Sequence, residues 1–240
     1  NMSMVENFFS IQSKAEENLF TGLEIWKEEK YWELHGKYPV IFLSFASVKG
    51  DTYSDVREGI VQTILDLYAK YDYLRQSDAL NEKEKAYFDY VNGEMSNTIA
   101  AMALRRLSLC MSLYYGKKVL ILLDEYDTPL LEAYTDGYWD EMIATCRQLF
   151  HCTFKENSSF FRAIITGVTR IPKNSLFSDL NNLKACTVTS NDYSDCFGFT
   201  EQEVMDALKC QNIDTMKDVK AMYDGFIIGN RKDIYNPWSI

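Results

Sequence analysis

The residues best placed by type and spacing to do chemistry are Asp124 and Glu125, which close the stretch KKVLILLDEYD (Lys117–Asp127). Val119–Leu123 is a wholly apolar run of the kind that forms a buried strand of a parallel sheet. In open α/β sheets, ligands bind outside the carboxyl ends of the strands. Two acids at such an end suit phosphoryl transfer: the first holds a magnesium ion against phosphate oxygens, and the second orients or deprotonates an attacking water. Acids after a strand also simply begin loops or cap helices, and the apolar run with its two acids leaves both readings open. Asp127 reads as a helix cap, because Thr128 and Pro129 follow it. A second group, Thr166-Gly-Val-Thr-Arg170, follows the apolar run FFRAIIT. Thr166, Thr169 and Arg170 are placed there to contact a γ-phosphate as a sensor, with Arg170 the natural donor to phosphate oxygens. Taken by itself, Arg170 reads more readily as a surface arginine.

These groups need elements to hold them. Asn1–Ser10 has Met4, Val5, Phe8 and Phe9 as the apolar stripe of a helix, and Gly22–Leu34 reads as a second, aromatic-rich helix. Pro39–Phe45 fits a buried strand. Ser54–Tyr71 and Ile99–Tyr115 carry helical spacing, the latter ending at Gly116. Ser77–Lys85 reads as an exposed turn with a short helix behind it, and Tyr138–Phe154 as an amphipathic helix. Phe160–Thr166 is expected as a third buried strand and Ala185–Thr189 as a fourth. Thr200-x-x-Glu203 is a capping box opening a helix through Leu208. Apolar strands alternating with helices predict an α/β fold, a mostly parallel sheet covered on both faces. After about Thr200 the strands are expected to give way to short helices with turns at Gly225 and Gly229, a small helical or winged appendage.

Composition narrows the function. The chain has 240 residues, 47% of them hydrophobic, which is enough for one large α/β domain with an appendage. The net charge of −10 argues against a nucleic-acid-binding face in this stretch, since such faces need clustered Lys and Arg. No apolar run approaches the roughly 18 residues of a membrane span. The six cysteines form no C-x-x-C pair and the two histidines, His35 and His151, sit at no ligand spacing. This pattern predicts a reducing cytoplasm and no zinc site. Glu82-Lys83-Glu84-Lys85 contains a nuclease-like E-x-K string, but in so charged a stretch it reads as a solvated face.

Four stretches, in order, carry a family likeness: LLDEYDTPL (Leu122–Leu130), IITGVTRIPKNSLFSDLNN (Ile164–Asn182), FGFTEQEV (Phe197–Val204) and YNPWSI (Tyr235–Ile240). With them the chain resembles the bacterial and archaeal AAA-ATPase-like proteins, a branch close to the signal-transduction (STAND-type) ATPases, over essentially its whole length. The resemblance implies a P-loop NTPase three-layer sandwich over residues 1–199 and the start of a helical or winged appendage over 200–240. It implies ATP and Mg2+ as ligands, and ATP hydrolysis as the activity. Asp124 becomes the magnesium-site acid and Glu125 the water-activating acid. Arg170 becomes a catalytic sensor, with Thr166 and Thr169 beside the nucleotide. Pro237 parallels a proline by which STAND-type ATPases touch nucleotide from their small domain.

Family members typically carry a phosphate loop ending in G-K-[ST] just before the helix that starts here. No such motif occurs in these 240 residues. The expectation is that the sequence begins just past that loop, with nucleotide binding weak or lost if the loop is truly absent. Family members also often continue into a restriction-endonuclease-like nuclease domain, making a switch for a C-terminal effector the leading reading, open to oligomer formation. The alternative is a non-catalytic scaffold that works through protein contacts. The NSLFSDLNN segment (Asn174–Asn182) is a family hallmark without assigned chemistry.

Overall fold

Three apolar runs become the strands of a parallel sheet in the computed structural model, which describes all residues except 1, 16–18, 156, 170, 172–175, 178–179, 181–182, 214–215, 224 and 238–240, and not the side chains of 14 and 15. The strands are β1 (Val40–Ser44), β2 (Val119–Asp124) and β3 (Phe160–Ile165), in the order β1-β2-β3. The β1–β2 register runs from Val40 opposite Leu120 to Ser44 opposite Asp124. The β2–β3 register runs from Leu120 opposite Arg162 to Leu123 opposite Ile165, with an irregularity at Val119/Leu120. The chain forms two compact units, Asn1–Leu180 and Asn181–Ile240.

In the first unit, α3 (Tyr53–Lys70), α4 (Glu82–Tyr90) and α5 (Asn97–Tyr115) connect β1 to β2. Between β2 and β3 come α6 (Thr128–Asp136) and α7 (Trp139–Phe154). The boundaries follow local chemistry. Thr52 accepts from the Asp55 amide at the start of α3, Ser96 accepts from the Ile99 amide at the start of α5, and α5 stops where Gly116 turns left-handed at φ 64°. Because strand side chains alternate, β1 and β2 each serve two faces. Ile41, Leu43, Ile121 and Leu123 join the large core made with α3, α5 and α7. Val40, Phe42, Leu120 and Leu122 pack on the opposite face with Met2, Val5 and Phe9 of α1 (Met2–Phe9). Tyr71, fully buried, locks α3 to the sheet by donating its hydroxyl to the Val40 carbonyl at 2.7 Å.

The second unit holds β4 (Phe199–Thr200), α8 (Glu201–Cys210), α9 (Met216–Tyr223), β5 (Phe226–Ile228) and β6 (Arg231–Tyr235). Its strands pair antiparallel in the order β4-β6-β5. The expected capping box is present: Thr200 accepts from the Glu203 amide, and Glu203 accepts from the Thr200 amide.

Several expectations need correction. The run Phe160–Thr166 supplies β3, but among the described residues this is an edge strand, with Phe161, Arg162 and Ile164 exposed, rather than a buried one. Residues 185–189 form no strand. Strands do not stop at Thr200: β5 and β6 are short, and in β6 the charges of Arg231, Lys232 and Asp233 hide the strand pattern. Gly22–Leu34 is not one helix but α2 (Glu24–Lys27) followed by a 3-10 turn over Glu29–Leu34. The indole of Trp32 donates to the Trp26 carbonyl and stacks on the Trp26 ring, holding the chain in that tighter form. Among the described residues no helix is long and apolar enough to cross a membrane.

Candidate functional site

Asp124 is the last residue of β2, and strand alternation puts its side chain on the same face as Leu120 and Leu122, the face covered by α1. Ser44, its register partner at the end of β1, lies on that face too. The backbone ladder runs on past the strand ends: Phe45 N–H donates to the Asp124 carbonyl at 3.0 Å, and Thr166 N–H donates to the Leu123 carbonyl at 2.9 Å. Thr166, two residues beyond Ile164, therefore arrives beside Asp124, and its hydroxyl donates to the Asp124 carboxylate. Two of the residues expected at the site are thus in direct contact.

α1 packs on this face through Met2, Val5 and Phe9. Its C-terminal end is tied to the entry of β1, with Gly36 N–H on the Phe8 carbonyl and Tyr38 N–H on the Phe9 carbonyl, both 2.9 Å.

Glu125 breaks the strand. Its φ of 54° is left-handed, an unusual conformation for a residue with a Cβ. Its carboxylate is half-buried and makes no hydrogen bond or ion pair among the described residues. The chain then turns inward, so Tyr126 enters the core and packs on Phe177 with ring centroids 5.4 Å apart.

Asp127 occupies the N-cap position of α6 but its side chain makes no capping bond. This corrects the capping role expected for it. The carboxylate, fully buried, accepts the Val168 N–H at 3.3 Å and the Thr169 N–H on its other oxygen. The Tyr126 hydroxyl completes the fastening by donating to the Thr169 carbonyl at 2.8 Å and accepting the Ile171 N–H at 3.2 Å. Gly167 fits beneath only because it lacks a side chain: a Cβ there would collide with Asp127 Oδ1 and lie 2.7 Å from the Tyr126 ring. Thr169 itself points outward, its backbone held and its side chain exposed.

Arg170 lies outside the described residues. Pro237 is exposed and belongs to the second unit. Sequence reasoning missed Tyr126 and Asp127 as the holders of the 166–169 loop; the signal was the D-E-Y-D string, read only for its first two acids. It also found no role for NSLFSDLNN, of which Leu176 and Phe177 are buried core residues, with Phe177 stacked on Phe150. The Glu82–Lys85 string opens α4, with Asn81 and Glu84 forming a capping box, which accounts for it structurally.

Among the described residues no group of three His, Cys, Asp or Glu side chains could hold a metal ion. That donor set does not suit a closed, all-protein metal site. It does fit magnesium, which keeps several waters and binds through one or two carboxylates together with substrate phosphates. Asp124 and the Thr166 hydroxyl offer the hard oxygen atoms such an ion takes.

A family model described as "Predicted AAA-ATPase" matches residues 1–177. The chain is also 27% identical over 227 residues to a curated protein of Azotobacter chroococcum mcd 1, described as an uncharacterized protein in the vnfD 5' region. That match covers 93% of this chain and 39% of the relative, so the chain spans well under half the relative's length. No solved structure matches.

Proposed function

From the premise that this chain belongs to the predicted AAA-ATPase family, we propose that it is the core of a magnesium-dependent ATP-hydrolysing switch. The observation that carries the reading is the Asp124–Thr166 contact at the ends of two adjacent parallel strands, on the face covered by α1. It supports a P-loop-type arrangement within a three-layer sandwich. In this reading Asp124 holds the magnesium ion and Thr166 fixes the rotamer of its carboxylate. Bound magnesium would neutralise charge on the β- and γ-phosphates. Glu125, whose carboxylate has no partner among the described residues, would orient and deprotonate the attacking water. By the family likeness, Thr169 and Arg170 would serve as the γ-phosphate sensor. Catalysis of this kind is chiefly positional and electrostatic, so a rigid strand is the right platform. The switch would act in the cytoplasm on a C-terminal effector, a nuclease-like domain by analogy with the STAND-related branch, and as an oligomer if the sensor acts between copies.

The test is Glu125→Gln in the full-length protein. Turnover should be lost while calorimetry with ATP and magnesium still reports binding. Unchanged turnover removes Glu125 from the mechanism. A flat titration of the wild-type protein instead favours a scaffold that acts through protein contacts.

A further inference from the structure

Asp127 is a buried carboxylate that the reaction as read above does not use. At 0% exposure it is an expensive group to place, and burial of a charge is tolerated only when hydrogen bonds satisfy it. Its natural partners would be the free amides at the start of its own helix, α6. Instead its two oxygens take the Val168 and Thr169 amides, one each, from the loop that follows β3. Tyr126 grips the same loop at the Thr169 carbonyl and the Ile171 amide. The loop's first residue, Thr166, is the one whose hydroxyl rests on Asp124. Two consecutive residues after Glu125 thus fix the loop on the far side of the acidic pair, and Gly167 leaves no slack between them.

We propose that Asp127, assisted by Tyr126, is a positioning residue of the nucleotide site: it sets the 166–169 loop, and through Thr166 the Asp124 carboxylate, at a fixed distance from a phosphate-bearing ligand. The proposal rests on the ATPase reading and deepens it. Asparagine is the informative replacement, since it is nearly isosteric but has one acceptor oxygen. Its NH2 group would face one of the two loop amides, and one of those bonds must break. A displacement of about 1 Å at a catalytic group can cost on the order of a hundredfold in rate.

The experiment uses the full-length protein with ATP and magnesium, and measures kcat and KM for wild type, Asp127→Asn, Tyr126→Phe and Tyr68→Phe. Tyr68→Phe removes a buried hydroxyl that donates to the Ala103 carbonyl at 2.8 Å, away from the site, and controls for stability. All rates are read well below each variant's melting temperature, and amide exchange at Val168 and Thr169 is followed in parallel. Expected for Asp127→Asn is a fall in kcat of at least about tenfold with KM within about threefold, the pattern of an interaction that counts in the transition state. Tyr126→Phe should fall between it and wild type, and amide exchange at Val168 or Thr169 should speed up in Asp127→Asn. If Asp127→Asn does not fold, Tyr126→Phe carries the test, since it keeps the packed ring. Normal kcat in a variant whose loop amides exchange freely overturns the proposal, and so does an equal loss in Tyr68→Phe. Wild-type protein that neither binds nor hydrolyses ATP overturns the ATPase reading itself, and the proposal with it.

Discussion

Glu125 offers a test in which the sign of a stability change, rather than its size, decides. With φ at 54° its Cβ sits in the left-handed region, at a penalty of roughly 1–2 kcal/mol for an L-residue. Glycine escapes that penalty but loses more chain entropy on folding, about 0.5–1 kcal/mol relative to alanine. The balance makes Glu125→Gly more stable than Glu125→Ala by roughly 0.5–1 kcal/mol. Because a domain of this size moves about 2–4 °C per kcal/mol, its melting temperature should be about 1–4 °C higher. The ordinary order is the reverse, and exposed Ala144 in the middle of α7 supplies the reference. There Ala144→Gly should cost about 0.8–1 kcal/mol. The assay is thermal melting of the variants side by side, followed by circular dichroism. Glu125→Ala melting at or above Glu125→Gly would refute the argument that this backbone is strained. ATP turnover in the same samples separates the two links: both variants should lose it, so a variant that gains stability while losing activity marks Glu125 as placed there for chemistry.

Other outcomes follow from the same geometry. Gly167→Ala should destabilise by about 1–3 kcal/mol, the usual range for overpacking, because Tyr126 and Asp127 are both pinned; an unchanged melting temperature would mean the loop has room. Tyr71→Phe strips the Val40 carbonyl of its donor and should cost about 1–3 kcal/mol in urea unfolding, with a cost near zero showing that water replaces the hydroxyl. Burial pushes the Cys110 and Cys146 thiols up to about 12. Native protein at pH 8.5 should therefore be alkylated at exposed Cys186, Cys196 and Cys210 but not at these two, as read by mass spectrometry. The unfolded chain releases those protons near pH 9 while the native one holds them, so stability should fall from about pH 9 upward. Cys146→Ala should flatten that fall, and an equally steep profile would assign it to the buried tyrosines.

What could be read from the sequence was whatever depended on one element at a time. The apolar run before Asp124 fixed β2, and the helix ends at Gly116 and Thr200 followed from local capping chemistry. What could not be read depended on neighbours. FFRAII is apolar enough for a central strand, and only the sheet order reveals that it lies at an edge. Asp127 has the right sequence for a helix cap, yet the amides of a loop some forty residues away compete for its oxygens and win. Tyr126 looks like a spacer between acids until the Thr169 carbonyl arrives above it. β5 fell below the signal because it is three residues long, and β6 because Arg231, Lys232 and Asp233 break any apolar pattern. The placement of Asp124 beside Thr166 required both the strand ends and the register, and only the first was legible.

The edge position of β3 bears on how the protein behaves in a tube. Among the described residues β3 pairs only with β2, leaving an outer row of backbone donors and acceptors flanked by Phe161 and Ile164, each 45% exposed. Such an edge is a template for another strand, and strands of this composition are guarded by charge. Arg162 is the one charge within the strand, its guanidinium lying 5.5 Å from the centre of the Phe161 ring. Like charges on two approaching edges repel over a distance that salt shortens to about 8 Å at physiological strength. Along this edge a single guanidinium is the local guard, within a chain of net charge −10, and replacing Arg162 by an uncharged residue should favour concentration-dependent self-association through the edge.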